Sequence, residues 1–69
     1  MDHAAAAHYA LSQCEAIQAE ARAVYGDHLT PWQCLDRVIS ARWPDLPERE
    51  AHVAAAEHYG VELPAEVAA

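Results

Sequence analysis

Apolar and polar positions follow a helical period over the first third of the chain. From Ala7 to Tyr25, apolar or small residues recur every three or four positions, which places them on one face of an α-helix. Gly26 follows, and glycine is favoured where a helix ends in a left-handed conformation. The pattern predicts one uninterrupted helix over residues 4–25. Its buried face consists of Ala7, Ala10, Leu11, Cys14, Ile17, Ala21, Val24 and Tyr25.

A second helix is marked by its start and stop signals. Thr30 is a good N-cap residue, Pro31 suits the first helical position, and Gln33 completes a capping box. Pro44 disfavours helical geometry at the residue before it, so the helix must end close to that point. These signals predict a helix over residues 31–42.

A third helix is predicted over residues 46–59. Asp45 followed by Glu48 gives a second capping signal, and Pro47 lies in the first turn. Gly60 marks the end of this helix in the same way as the first glycine. The remaining tail, residues 61–69, carries a weaker pattern: either Pro64 starts a short final turn or the tail frays.

Three helices with short connections favour neighbouring, antiparallel or steeply crossed packing. We therefore expect a single all-α domain over residues 1–69, a compact three-helix bundle with room for a short fourth helical turn at the C-terminus. Its aliphatic core is small, and alanine-rich faces bury little area per residue, so a homodimer or docking on a larger partner is also compatible with the pattern. The expected core comprises Leu11, Ile17, Val24, Leu29, Leu35, Val38, Ile39, Leu46 and Val53.

The charge is strongly negative and unevenly distributed. The formal net charge is −7, and the chain has no lysine. Residues 45–69 hold six acids and one arginine (−5), whereas residues 1–44 hold five acids and three arginines (−2). Such a surface repels nucleic-acid phosphates and anionic membranes, so we expect no direct nucleic-acid binding and no membrane binding. A protein partner with a basic surface fits the charge.

The expected function is accordingly that of a non-enzymatic protein–protein interaction module. Its most concrete form is a small acidic inhibitor from a phage or mobile element, of the anti-CRISPR kind, that blocks a basic, nucleic-acid-handling host complex. The absence of asparagine, phenylalanine and lysine fits a GC-rich bacterial or phage genome. The partner-binding candidates are the acids Glu48, Glu50, Glu57 and Glu62 with the aromatic anchors Trp32 and Trp43.

Two alternatives stay open. One is a small DNA-binding regulator or antitoxin built on the second and third helices, although acids at the start of the third helix have the wrong sign for a DNA groove. The other is a regulatory protein stabilised by a metal or by thiols. Its candidate ligands are His3, His8, Cys14, His28, Cys34, His52 and His58.

The spacing of these ligands gives little support for a metal site. His3 and His8 are five positions apart and His52 and His58 are six apart, whereas helical ligand pairs need three or four. We therefore expect no metal and no cofactor, with histidines on the surface and two small, reduced thiols in the core.

No catalytic motif is present either. Ser12 and Ser40 lack the glycine context of a nucleophile elbow, and a chain of this size has little room for a pocket, so no enzymatic activity is expected. The N-terminus lacks the positive charge of a signal peptide, and no segment is apolar enough to span a bilayer. The expected location is the cytoplasm.

Overall fold

Helices and short connections make up the part of the chain that the structure, a computed structural model, describes: residues 3–65. No strand occurs in this range, so the all-α prediction is confirmed. The three-helix prediction is wrong in one respect, because the first predicted helix is two helices. The elements are α1 (His3–Ser12), α2 (Glu15–Tyr25), α3 (Pro31–Arg42) and α4 (Glu48–Tyr59).

The break between α1 and α2 is made by side chains that bind backbone carbonyls. The Ser12 hydroxyl donates to the carbonyl of Tyr9 at 2.7 Å, and the Gln18 amide donates to the carbonyl of Ser12 at 2.7 Å. The Cys14 amide reaches back only three residues, to Leu11 at 3.0 Å, which tightens the last turn. These local bonds compete with the regular helical ladder, and neither glycine nor proline is needed to stop the helix.

The second predicted helix is α3 of the structure, and it starts and ends as predicted. Thr30 and Gln33 form the complete capping box. The backbone N–H of Gln33 donates to the Thr30 hydroxyl at 3.2 Å, and the backbone N–H of Thr30 donates to the side-chain oxygen of Gln33 at 3.0 Å. The Trp43 amide closes the helix on the carbonyl of Ile39 at 2.9 Å. The sequence signals therefore determine α3 from its own residues.

The last helix begins later than the pattern indicates. Asp45 does not cap it: α4 starts at Glu48, and its N-cap residue, Pro47, has no side-chain donor or acceptor for the first turn. The end is as predicted, because Gly60 is left-handed (φ 70°, ψ 33°) and the Val61 amide donates to the carbonyl of Ala56 at 2.9 Å. Gly26 has a positive φ of 99° but an extended ψ of 173°, so it is not the left-handed cap that was predicted.

The core contains most of the expected apolar residues. Ile39 and Val53 are half-buried. Val24 and Leu46 are exposed (70% and 40%), contrary to prediction, because each lies where no other element covers it: the last turn of α2 and the α3–α4 connection. The buried apolar residues are Ala6, Ala7, Leu11, Ile17, Ala21, Leu29, Cys34, Leu35, Val38, Ala51, Ala55 and Ala56.

The described part of the tail packs onto the helices. Val61 and Leu63 contact the main core, and Leu63 also contacts the buried alanines of α1. Most of the predicted final turn after Pro64 lies outside the described residues. Within residues 3–65, no helix combines the length and apolar character needed to cross a bilayer.

A surface network of polar side chains joins three of the helices. Arg42 of α3 makes two hydrogen bonds to the Glu20 carboxylate of α2, at 2.8 and 2.7 Å, and the Tyr59 hydroxyl of α4 donates to the same carboxylate at 2.9 Å. These bonds lower the pKa of Glu20 against the opposing effect of burial. On the other side of the molecule, α1 contacts both α3 and α4. His8 lies on α1 at this junction.

Candidate metal centre

Three potential metal ligands meet where α1 crosses α4. They are His8 of α1 and Glu48 and His52 of α4, and one ligand atom from each lies within 4.8 Å of the others. Glu48 and His52 are four residues apart, so the helix itself places both side chains on one face. His8 is brought to them by the packing of α1 on α4.

The cluster is closed on its histidine side and open on its carboxylate side. His8 and His52 are only 6% and 2% exposed, whereas Glu48 is exposed. Burial holds the two imidazoles in fixed positions between the helices. The exposed carboxylate gives an ion a path from solvent to the imidazoles.

His52 is buried with an unsatisfied polar atom. Its Nδ1 has no hydrogen-bond partner among the described residues. Burial, together with the nearby His8, lowers the pKa of His52, and the carboxylates of Glu48 and Asp36 oppose this effect. The imidazole is therefore neutral near pH 7, which is the form that binds a metal. A buried unpaired nitrogen costs about 1–3 kcal/mol unless something binds it.

His8 is oriented by α3. Its Nε2 lies 3.4 Å from a carboxylate oxygen of Asp36 and 3.5 Å from the backbone carbonyl of Trp32. The Trp32 ring stacks on the imidazole, with 3.9 Å between centroids and 29° between planes, and the His52 ring meets it edge-on at 5.5 Å. A carboxylate beside a ligating histidine is a usual means of fixing its ring orientation.

The donor set suits a borderline transition-metal ion. Two imidazoles and a carboxylate are typical ligands of Zn²⁺, whereas Mg²⁺ and Ca²⁺ prefer sites made of oxygen. Donors about 2.0–2.1 Å from a tetrahedral ion lie about 3.4 Å apart. The ligand atoms of this cluster lie within 4.8 Å of one another, so binding requires the side chains to move closer together by up to about 1.4 Å. Asp36 lies outside this set of ligand atoms but is close enough to His8 to serve as its supporting carboxylate.

The structure separates the residues that the sequence grouped as partner-binding. Glu48 belongs to the metal cluster, whereas Glu50, Glu57 and Glu62 are exposed outside it. Trp32 is 46% exposed although it stacks on His8.

The other predicted anchor, Trp43, is half-buried. Its ring meets His58 edge-on at 5.9 Å, with 76° between the ring planes. Trp43 therefore stands at the edge of the core, beside the α3–α4 connection.

The prediction for the histidines is corrected, and that for the cysteines is refined. His8 and His52 are buried, whereas surface positions were expected; His28 and His58 are exposed. Both thiols are free; Cys34 is fully buried and Cys14 is half-buried at the edge of the same core. The side chain of His3 lies outside the described residues.

One signal for the cluster was present in the sequence. Glu48 and His52 have the helical four-residue spacing, which is visible only when carboxylates are paired with histidines as well as histidines with each other. Nothing in the sequence indicates that His8, forty residues earlier, joins them. That contact is a product of tertiary packing.

In comparison with known proteins, the chain matches no protein family model, no curated protein and no solved structure. The geometry of the cluster and the exposed surface are therefore the basis for a function.

Proposed function

We propose that this chain is a non-enzymatic module that binds a divalent transition-metal ion, Zn²⁺ foremost, between α1 and α4. The observation that carries the proposal is the cluster of His8, Glu48 and His52, in which the buried His52 has a ring nitrogen, Nδ1, without a hydrogen-bond partner among the described residues. A buried polar atom normally has a hydrogen-bond partner in the protein or in ordered water. An ion at this position satisfies the imidazoles and is itself neutralised in part by the carboxylate.

Binding an ion here gives the chain a cross-link that its core lacks. The potential ligands come from α1 and α4, so one ion would join two helices that are far apart in sequence. The large side chains that are completely buried are few, chiefly Leu11, Ile17 and Leu35 with His52 itself. Chains of this size often use a metal to supplement a small core, and binding free energy then becomes folding free energy.

The direct test is a titration of the full chain with ZnCl₂ after treatment with chelator. We expect one ion per chain by native mass spectrometry and, with Co²⁺, the visible absorption of a low-symmetry site. At an ion concentration about 100-fold above Kd, the gain in stability is about 2.7 kcal/mol. For a domain of this size that corresponds to a rise in Tm of roughly 10 °C or more.

Glu48→Gln is the most informative variant, because Glu48 is exposed and its replacement should leave the fold intact. We expect the Zn²⁺ affinity to fall by at least about 10–100-fold, since that is the loss typical of mutating a residue that only supports a ligand. The matched control is Glu50→Gln, which removes the same charge two residues away, outside the cluster. Equal affinities for Glu48→Gln and Glu50→Gln would show diffuse attraction to an acidic helix and contradict the proposal.

A second variant tests the helix α1 side of the site. His8→Gln removes an imidazole from the cluster, whereas His58→Gln removes one from an exposed position of α4. We expect only the first substitution to abolish the thermal shift with Zn²⁺. Loss of the shift in both variants, or in neither, speaks against the cluster as the site.

A second candidate function is the binding of a basic protein partner, as in the acidic-inhibitor hypothesis. It is supported by the exposure of Trp32 and of Glu50, Glu57 and Glu62, which present an aromatic ring and several negative charges to solvent. Exposed charge pairs are screened over about 8–10 Å near physiological ionic strength. We therefore expect affinity for a basic partner to fall as salt rises; affinity that is flat with salt contradicts this function. The more specific identity as an inhibitor of a host complex stays a prediction.

A further inference from the structure

A shallow groove lies between the end of α3 and the start of α4. Its volume is about 360 Å³. The groove exists because α3 packs more closely on α1 and α2 than on α4. Its lining comprises the apolar residues Ile39, Trp43, Pro44, Leu46 and Ala51 together with Ser40 and Glu48.

One apolar side chain that lines the groove, Leu46, is left uncovered by the fold. Leu46 is 40% exposed, in a connection bounded by Pro44 and Pro47. Pro44 and Pro47 restrict the backbone on both sides, because each proline has a fixed φ and also constrains the residue before it. Leu46 is therefore presented to solvent by a stiff segment, beside the half-buried ring of Trp43.

The charge around the groove is negative. Residues 45–50 contain the carboxylates Asp45, Glu48 and Glu50 against a single arginine, Arg49. Asp45 is exposed between two lining residues, and Glu48 lines the groove itself. The nearest cation on α3, Arg42, is bound through two hydrogen bonds to Glu20. An apolar groove with an acidic rim fits a ligand that is apolar at its centre and cationic at its edges.

We propose that this groove binds a basic, amphipathic helical segment of a partner protein. One apolar side chain of the segment packs against Ile39, Trp43 and Leu46, and flanking arginines or lysines pair with Asp45 and Glu48. This is helix-in-groove recognition, in which buried anchors supply affinity and charges supply steering. The inference rests on the second function proposed above, the binding of a basic partner, and does not depend on the metal.

A second copy of this chain is a poor occupant of the groove. Each copy carries a net charge of −7 and no lysine, so self-association brings carboxylates against the acidic rim. The charge therefore favours a different, basic protein over a homodimer. Sedimentation velocity of the wild-type chain and of a groove variant separates these two occupants.

The experiment uses a fluorescein-labelled helical model peptide in which lysines surround a stripe of leucines, measured by fluorescence anisotropy. A peptide of the same composition in scrambled order is the control for general charge attraction. The variant is Leu46→Ser, and its matched control is Val24→Ser, which removes an even more exposed aliphatic side chain from α2. Asp45→Asn is compared with Asp27→Asn, an exposed acid in the α2–α3 connection.

We expect the amphipathic peptide to bind the wild-type chain, and Leu46→Ser to weaken it by about tenfold, the scale of losing one interface anchor. Val24→Ser should leave Kd within about twofold, as expected for a residue outside the interface. Asp45→Asn should weaken binding more at low salt than Asp27→Asn does.

The outcomes separate the groove from the function. If the wild-type chain binds neither peptide, the basic-partner function itself fails. If the wild-type chain binds but Leu46→Ser and Val24→Ser have equal Kd values, or if the scrambled peptide binds equally well, the groove is not the binding site. The basic-partner function then stands. A wild-type dimer that Leu46→Ser dissociates overturns the proposed occupant in favour of a second copy.

Discussion

His52 shows how one buried side chain can be unfavourable for stability and useful for binding. It is 2% exposed, its Nδ1 has no partner, and burial lowers its pKa. The sequence thus places a costly buried group beside two other potential metal ligands, His8 and Glu48.

The first prediction concerns the pH dependence of the metal-free protein. Because the folded-state pKa of His52 lies below the ordinary value of 6.5, unfolding takes up a proton once the pH falls below that value. The free energy of unfolding should therefore decline as pH falls through about 6.5, and this contribution should level off below the folded-state pKa. Urea denaturation in the presence of chelator measures it.

The control for that profile is His58→Gln, because His58 is exposed. His52→Gln should flatten the profile in this pH range, whereas His58→Gln should leave it unchanged. An identical slope in wild type and His52→Gln would mean that another group causes the acid sensitivity.

The second prediction is a trade between stability and binding at the same residue. His52→Leu removes the unpartnered nitrogen and keeps a similar volume, so the metal-free protein should gain about 1–3 kcal/mol, the cost of leaving a buried polar atom unsatisfied. The same variant should show no rise in Tm with Zn²⁺. A variant that is destabilised without metal would indicate that His52 serves packing rather than binding.

At the scale of the element, side-chain bonds to the backbone decide where the helices begin and end. Thr30 and Gln33 start α3 through their own capping box, whereas Ser12 and Gln18 divide α1 from α2 by binding backbone carbonyls. The first device has a sequence signature and was predicted. The second does not, because a mid-helix serine is compatible with an unbroken helix.

The third prediction tests the capping box. Thr30→Ala removes the oxygen that accepts from the Gln33 amide, so the free energy of unfolding should fall by about 0.5–2 kcal/mol. The matched control is Ser40→Ala, an exposed hydroxyl in the interior of the same helix, where alanine is a better helix former. Urea denaturation compares the two, and equal effects would show that the cap does not stabilise α3.

At the scale of the whole molecule, one carboxylate is shared by the candidate metal centre and the groove. Glu48 belongs to the ligand cluster and also lines the groove between α3 and α4. An ion bound by Glu48 neutralises the rim that a basic segment needs. By linkage, each ligand must then weaken the other by the same factor.

The fourth prediction is this negative coupling. Saturating Zn²⁺ should raise the Kd of the lysine–leucine peptide by about 5-fold or more, within the usual range of coupling between sites. Anisotropy titrations with and without Zn²⁺ measure the effect. Glu50→Gln is the control: it keeps Glu48, so the effect of Zn²⁺ on the peptide Kd should persist in this variant. Peptide affinity that is unchanged by bound Zn²⁺ would show that the two sites are independent.

The sequence by itself determined the local features of this protein. Helical period, the Thr30 cap and the Gly60 stop depend on neighbouring residues and on backbone geometry, so they predicted the all-α class, both ends of α3 and the end of α4. Glu48 and His52 could also have been recognised, since a four-residue spacing on one helix fixes a shared face.

Only the tertiary structure decided which distant residues meet. The approach of His8 to α4, the exposure of Leu46 and Val24, and the gap between α3 and α4 all depend on how the helices pack, which no local pattern encodes. Small alanine faces allow several packing arrangements of similar area, so the period of the pattern does not choose among them. The candidate metal centre and the groove both depend on that packing, because the first joins α1 to α4, which are far apart in sequence, and the second is set by how α4 lies against its neighbour α3.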